Sequence, residues 1–442
     1  MKKITGVILI VLLMQACSPT KKAQTSLRLI YDSSVAMAHM GMAVYDVAGK
    51  KMLYNYQGDK YFTPASNIKL LTTYAAMKYL GDSLEGIRYN ISNTGSILFE
   101  GTGDPTLLHS DFSYQPVFNF LKKQRQISYR PPVVPITPLG KGWSWDDYQD
   151  EYMPERSDMP VYGNCAKFFI QQDSIAVVPN VFFNGHLAKA NSILKTGDDR
   201  HFTITRPFEE NTFHTVSTGK NGNVFYRQYV PFKTVLKSGI PITTQLLADT
   251  LHTLVGISVP FDTRSKLPQV IYSQPVDSVL KMMLRRSDNF FAEQLLLMAG
   301  NARLQYMREA DIIDTIIKND FKNFPQPPVW VDGSGLSRYN LFTPNGFVSL
   351  LLQMKAEFGM PRLQTVLATG GSGTLSSYYK QLAGKIFAKT GTLSNNVALS
   401  GFLYTKKNKL LAFSILVNNH TGSATSVRRA VEKFLLQLYE GM

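Results

Sequence analysis

Three short stretches of this 442-residue chain carry side chains that can act together on an acyl group. Ser66-Asn67-Ile68-Lys69 sets a hydroxyl and an amine three residues apart, on one face if the segment is helical. A serine hydroxyl is a weak nucleophile until a base takes its proton. A lysine kept neutral by burial or by a nearby cation can be that base. Ser287-Asp288-Asn289 offers one cleft a second hydroxyl, able to relay a proton, and an amide, able to bind a carbonyl. Lys389-Thr390-Gly391-Thr392 follows the apolar run Ile386-Phe387-Ala388. A strand there can hydrogen-bond an extended peptide, with Gly391 permitting close approach, Lys389 supplying charge and the threonines supplying hydroxyls.

Each motif alone is weak. Ser-x-x-Lys recurs at Ser18, Ser192, Ser217, Ser278 and Ser377, Ser-x-Asn at Ser394-Asn395-Asn396, and Lys-Thr-Gly at 195–197. Solvated helix faces, caps and turns account for most such matches. Their order and local setting carry the signal, so the elements around them matter.

Residues 42–47 and 51–56 read as two strands around Ala48-Gly49-Lys50. Thr63 is expected to cap a helix with Pro64 in its first turn, and 65–80 contains no glycine or proline. Ser66 then lies at a helix start, where free backbone N–H groups can stabilise an oxyanion. Helical patterns return at 275–299, 306–319 and 344–357. Residues 398–404 and 410–418 read as an apolar hairpin, and 423–440 as a closing amphipathic helix. The fold class is α/β (α+β): the two chain ends pair in one antiparallel sheet flanked by helices. The expected division is a catalytic unit from 28–85 and 261–442, with 86–260 as an inserted, mostly β region of two subdomains. Within the insertion, Trp143 and Trp145 read as core-packing side chains ahead of the alternative, stacking on substrate.

The chain is 44% hydrophobic and carries a net charge of +15. That balance suits a globular protein and favours acidic ligands. Nucleic acid is set aside because the chain reads as exported and has no nucleic-acid motif. Residues 1–16 read as a signal peptide, with a basic start and an apolar stretch too short to span a bilayer. The run Met14-Gln15-Ala16-Cys17 resembles a lipoprotein signal, so Cys17 is the expected lipid attachment site and 17–27 a tether. A lipidated Cys17 leaves Cys165 without an internal partner, which makes Cys165 a buried apolar residue.

Ser-x-x-Lys, Ser-Asp-Asn and Lys-Thr-Gly in this order are the set of penicillin-binding proteins and class A β-lactamases. Further stretches sharpen the match: Gly101-Thr102-Gly103-Asp104-Pro105-Thr106-Leu107, Gly142-Trp143-Ser144-Trp145-Asp146-Asp147 and Asp332-Gly333-Ser334-Gly335-Leu336-Ser337-Arg338. With these and the long gap between Ser66 and Ser287, the chain resembles the D-alanyl-D-alanine carboxypeptidase and endopeptidase family. These are the class C low-molecular-mass penicillin-binding proteins, or S13-like peptidases. The resemblance implies a periplasmic or cell-envelope enzyme that hydrolyses D-Ala bonds of peptidoglycan stem peptides and cross-links. β-Lactams are then covalent inhibitors, and no metal or other cofactor is implied. It further implies Ser66 as nucleophile, Lys69 as base, Ser287 as proton relay and Asn289 as substrate-amide ligand. Lys389 and Thr390 would hold the substrate carboxylate, and the N–H groups of Ser66 and Thr392 would form the oxyanion hole. A β-lactamase or esterase can use the same scaffold. A catalytically silent, cell-wall-binding lipoprotein would keep the fold with eroded motifs, whereas here all three are complete.

Overall fold

The computed structural model describes residues 29–195, 201–219, 224–258 and 266–442. The apolar leader, Cys17 and the tether before Leu29 lie outside the described residues.

Six strands form the main sheet, in the order Ala368–Thr369, Ile386–Leu393, Asn396–Tyr404, Leu410–Asn418, His39–Asp46 and Lys51–Tyr56. All neighbours are antiparallel. The first strand closes on the last, pairing His39 with Asn418 and Asp46 with Leu411. Successive side chains leave a strand on opposite faces, so each strand feeds two cores. Ala43, Ala398, Phe402 and Leu416 enter one with Leu71, Leu280, Phe291 and Leu351 from the helical layer. Met42, Val44, Leu399 and Ile415 enter the other with Phe434, Leu435 and Leu438 of the helix Ala424–Gly441. Burial on both faces is why the two long C-terminal strands read as nearly unbroken apolar runs.

That last helix buries Val427, Ala430, Val431, Phe434, Leu435 and Leu438, the spacing of a single stripe. The opposite layer holds Lys69–Tyr79, Val276–Arg286, Asn289–Leu304 and Pro344–Phe358.

Between Tyr79 and Val276 the chain builds a second core around Phe99, Tyr129, Phe168, Phe213 and Leu246. Five strands order as Val255–Ile257, Ile127–Tyr129, Ile97–Gly101, Ser83–Ile91 and Gln269–Pro275. The first three are mutually parallel. Among the described residues, a three-stranded sheet and a two-stranded hairpin add to these. The helices Pro116–Leu121, Gly185–Lys195 and Ile242–Leu251 make this stretch more mixed than its alternating sequence suggests. The outgoing strand Ser83–Ile91 pairs with the returning strand Gln269–Pro275, so both connections to the main sheet run side by side.

Candidate active site

The expected helix at 65–80 is instead a 3-10 turn, Ala65–Ile68, followed by an α-helix, Lys69–Tyr79. Thr63 does not cap it. Its backbone N–H donates to Asn418 Oδ1 at 2.7 Å and its carbonyl accepts from Asn418 Nδ2 at 3.0 Å. The last long strand thus claims Thr63. Ala65 then turns through φ +49°, a left-handed value that a regular helix start excludes. Asn67 ties the turn to the sheet, donating at 2.8 Å to Ser400 Oγ, which donates at 2.8 Å to Ser414.

Two glycines clamp this turn. A Cβ on Gly335, itself at φ +81°, would lie 2.0 Å from the Ala65 carbonyl oxygen. A Cβ on Gly391 would lie 2.6 Å from the Pro64 carbonyl oxygen. Strand and loop can approach the turn only because both residues lack a side chain.

Ser66 is half-buried, while Lys69 is fully buried one helical step on. Lys69 Nζ lies 3.1 Å from Ser66 Oγ, 2.6 Å from Asn289 Oδ1 and 2.7 Å from the Ser334 carbonyl oxygen. A neutral amine has two N–H donors and one lone pair. The two carbonyl oxygens take the two donors, which leaves the lone pair facing the Ser66 hydroxyl. Burial pushes Lys69 down to about 8, against Asp332, Asp288 and Glu293, which favour its charged form.

Ser287 ends the helix Val276–Arg286 in a left-handed conformation at φ +61°. Asp288 caps the next helix, accepting from the Phe291 N–H at 3.0 Å. The break turns Asn289 toward Lys69 and brings Ser287 Oγ to 2.8 Å from Lys389 Nζ. Lys389 also donates to the Thr390 carbonyl at 2.7 Å. Burial, then the neighbouring Lys69, hold Lys389 well below the usual lysine range. The strand Ile386–Leu393 carries Lys389, Thr390, Gly391 and Thr392 past the turn, and Arg428 of the last helix donates to Thr392 Oγ1 at 2.7 Å.

All three motifs therefore meet at one cleft of about 640 Å³, which Ser66, Ser287, Asn289 and Thr392 line. Trp143, Tyr152, Arg338 and Tyr339 line it too. The alternative Lys-Thr-Gly is elsewhere: Lys195 ends a helix of the second core, and Thr196 and Gly197 lie outside the described residues.

The two tryptophans depart from the core-packing expectation. Trp145 is 74% exposed. Trp143 borders the cleft and donates its indole N–H to Asp332 Oδ2 at 3.0 Å, with the Arg156 guanidinium 5.6 Å from its ring. An indole N–H needs an acceptor, and here a carboxylate supplies it. Cys165 is buried, and burial pushes its thiol up, away from the reactive thiolate.

Several contributors have no sequence signal of their own. Ser334 acts through its backbone carbonyl, and the Tyr152 carbonyl accepts from Asn289 Nδ2 at 3.0 Å. Asp332 holds the 332–338 loop by accepting from the N–H groups of Gly335 and Ser337 and from Asn340 Nδ2. The stretch itself stood out in the sequence; its work inside the fold did not.

Over 432 aligned residues the chain is 24% identical to the D-alanyl-D-alanine carboxypeptidase DacB of Haemophilus influenzae, covering 87% of this chain and 86% of that one. The crystal structure of penicillin binding protein 4 (dacB) from Haemophilus influenzae shares the fold, with a TM-score of 0.70 at 18% identity, covering 95% and 99% of the two chains. That protein has also been solved with a β-lactam. A predatory peptidoglycan endopeptidase from Bdellovibrio bacteriovorus matches with a TM-score of 0.52 at 18% identity, covering 91% and 92%. The family model for D-Ala-D-Ala carboxypeptidase 3 (S13) matches residues 24–438. With its three motifs on one cleft and a match along nearly its whole length, the chain belongs to the D-Ala-D-Ala carboxypeptidase 3 (S13) family.

Proposed function

We propose that the chain is a serine-type D-alanyl-D-alanine carboxypeptidase and endopeptidase that hydrolyses D-Ala peptide bonds in peptidoglycan through an acyl-enzyme on Ser66. The observation that carries the reading is the buried Lys69 amine, held by two carbonyl oxygens with Ser66 Oγ 3.1 Å away. Ser66 attacks the scissile carbonyl while Lys69 takes its proton. The N–H groups of Ser66 and Thr392 receive the oxyanion. Ser287, bridged to Lys389, relays to the leaving amine the proton that Lys69 has taken, as the C–N bond breaks. Asn289 positions the substrate amide by releasing the Tyr152 carbonyl that it holds at rest. Lys389 and Thr390 hold the substrate carboxylate, with Gly391 letting the peptide run close. Water then hydrolyses the ester and restores Ser66.

The test pairs two rates. D-Ala should leave a peptide ending in D-Ala-D-Ala quickly, whereas bound penicillin should leave the enzyme slowly. Fast penicillin turnover without D-Ala release would make the chain a β-lactamase instead. Mass spectrometry of digested peptidoglycan then separates trimming of stem peptides from cutting of cross-links.

Gly335→Ala probes the clamp on the nucleophile. A methyl group there meets the Ala65 carbonyl and must displace the turn that carries Ser66. Misplacement of a reacting group by about 1 Å costs about 10²-fold. We expect acylation by penicillin to slow about ten- to hundredfold with the circular dichroism spectrum retained. A wild-type rate would show that this contact does not place Ser66.

In the same reading, residues 28–85 and 261–442 form the catalytic domain and 86–260 the insertion. The enzyme is exported to the periplasm or cell envelope, and Cys17 carries a lipid that tethers it. The apolar run after Lys2-Lys3 and the small residue before Cys17 support this. Among the described residues no helix is long and apolar enough to cross a membrane. Cys17→Ser is expected to move the enzyme from the membrane fraction to the soluble envelope fraction. Unchanged fractionation would rule out lipid as the tether.

A further inference from the structure

Arg156 and Glu293 form a fully buried ion pair that the proposed mechanism does not use. Arg156 Nη1 donates to Glu293 Oε2 at 3.3 Å, and its Nη2 to Glu309 Oε1 at 3.1 Å. Its Nε donates to the Thr137 carbonyl at 3.0 Å and its Nη2 also to the Leu139 carbonyl at 3.2 Å. Burying such a pair costs desolvation that mutual attraction often fails to repay, so stability alone is a weak reason for it. Its position suggests another.

The other oxygen of Glu293 accepts the Ser334 N–H at 2.7 Å. The carbonyl of the same residue, Ser334, accepts from Lys69 Nζ at 2.7 Å. Ser334 is therefore gripped by Glu293 through its N–H and by the lysine through its C=O. The loop has no slack, since a Cβ on Gly333 would lie 2.6 Å from the Ala292 carbonyl oxygen. Asn289, one turn before Glu293 on the same helix, holds Lys69 directly. One helix thus supports the lysine twice, once by a side chain and once through the 332–338 loop. Both side chains that brace this support from the far side, Arg156 and Trp143, belong to the 86–260 stretch.

We propose that Glu293, held by Arg156, is a positioning residue that sets the place and protonation of Lys69 through Ser334, and that the inserted region thereby takes part in tuning the general base. The inference rests on Lys69 being that base. The charged groups around Glu293 are Arg156 from the insertion, Asp332 from the loop and Lys69 from the first helix; Glu309 reaches it through Arg156. Lys69 in turn faces Asp332, Asp288, Glu293 and Lys389. Burial and Asp332 raise Glu293 to about 7, so its carboxyl and the Lys69 amine titrate over neighbouring ranges. An ionised Glu293 favours the ammonium form of Lys69, and its removal favours the neutral amine.

The test is the pH dependence of acylation by a fluorescent penicillin in Glu293→Gln. Glutamine keeps an acceptor for the Ser334 N–H but carries no charge. The acid limb of the profile is expected to move to lower pH by about half a unit or more. A merely structural role would lower the melting temperature or yield and leave the limb in place; an unmoved limb overturns the inference. If Glu293→Gln does not fold, the double variant Glu293→Gln with Arg156→Met removes both charges together and should move the limb the same way. Lys69→Ala separates the two readings. If it is inactive while Glu293→Gln keeps the wild-type limb, only the positioning role fails. If Lys69→Ala acylates normally, Lys69 is not the base and both fail.

Discussion

Ser66→Ala is expected to abolish covalent labelling by fluorescent penicillin and to lower D-Ala release by at least ~10³-fold. The argument is one of burial as much as of motif. Four other described serines share the Ser-x-x-Lys pattern: Ser192, Ser217, Ser278 and Ser377 are all exposed. Lys281 and Lys380, which follow two of them, are exposed as well. Among the described lysines of these Ser-x-x-Lys matches, Lys69 is the buried one, its amine oriented by two carbonyl oxygens. The variant should fold normally. Ser66 is half-buried, and Lys69 keeps Asn289 and Ser334 as partners when the hydroxyl is gone. The measurement is gel fluorescence beside a thermal unfolding curve. Undiminished labelling in well-folded Ser66→Ala would remove Ser66 as nucleophile.

Much of the frame was legible because it rests on pattern. The strand 51–56, the hairpin after Lys389 and the last helix follow from alternation, turn residues and a helical stripe. The closure of His39–Asp46 on Leu410–Asn418 was legible too, since each is an apolar strand in need of a neighbour. The start of the first helix was not. A Thr-Pro pair is a fair capping signal, but Asn418, distant in sequence, binds Thr63 on both sides and overrides it. The helices of the insertion were also hard to see. Pro116–Leu121 is short, and Gly185–Lys195 opens on a poor helix former.

In the site, residue types were visible while backbone work was not. Ser334 and Tyr152 act through carbonyls, which any residue possesses. Arg156 and Glu293 look like surface charges in a linear reading, because lysine, arginine and glutamate usually are. Only the fold shows that they face each other in the interior. Trp143 was misjudged for a related reason: its ring suggests a core, but its N–H decides where it can lie.

The second large effect is expected for Lys69→Ala. Removing the amine leaves Ser66 with no base within hydrogen-bond reach among the contacts described, and acylation should fall by ~10²–10⁴-fold. The wild-type pH profile tests the same claim without a mutation. Lys69 must be neutral to accept a proton, and its range is centred near 8. Acylation should therefore rise with pH through about 8, and about a tenth of the enzyme would carry the neutral amine at pH 7. The variant should lack this limb. Stability carries a matching sign. Lys69 is at about 8 in the folded protein against an ordinary 10.5, so between these values the unfolded chain binds more protons. Unfolding free energy should then gain a positive slope with pH across that window as the buried charge is relieved, a contribution that Lys69→Ala lacks. A flat wild-type acylation profile from pH 6 to 9, with chemistry rate-limiting, would show that Lys69 does not titrate on the path to the acyl-enzyme. The two slopes separate the roles: burial of Lys69 produces the first through catalysis and the second through folding, and losing one without the other would show which group holds the proton.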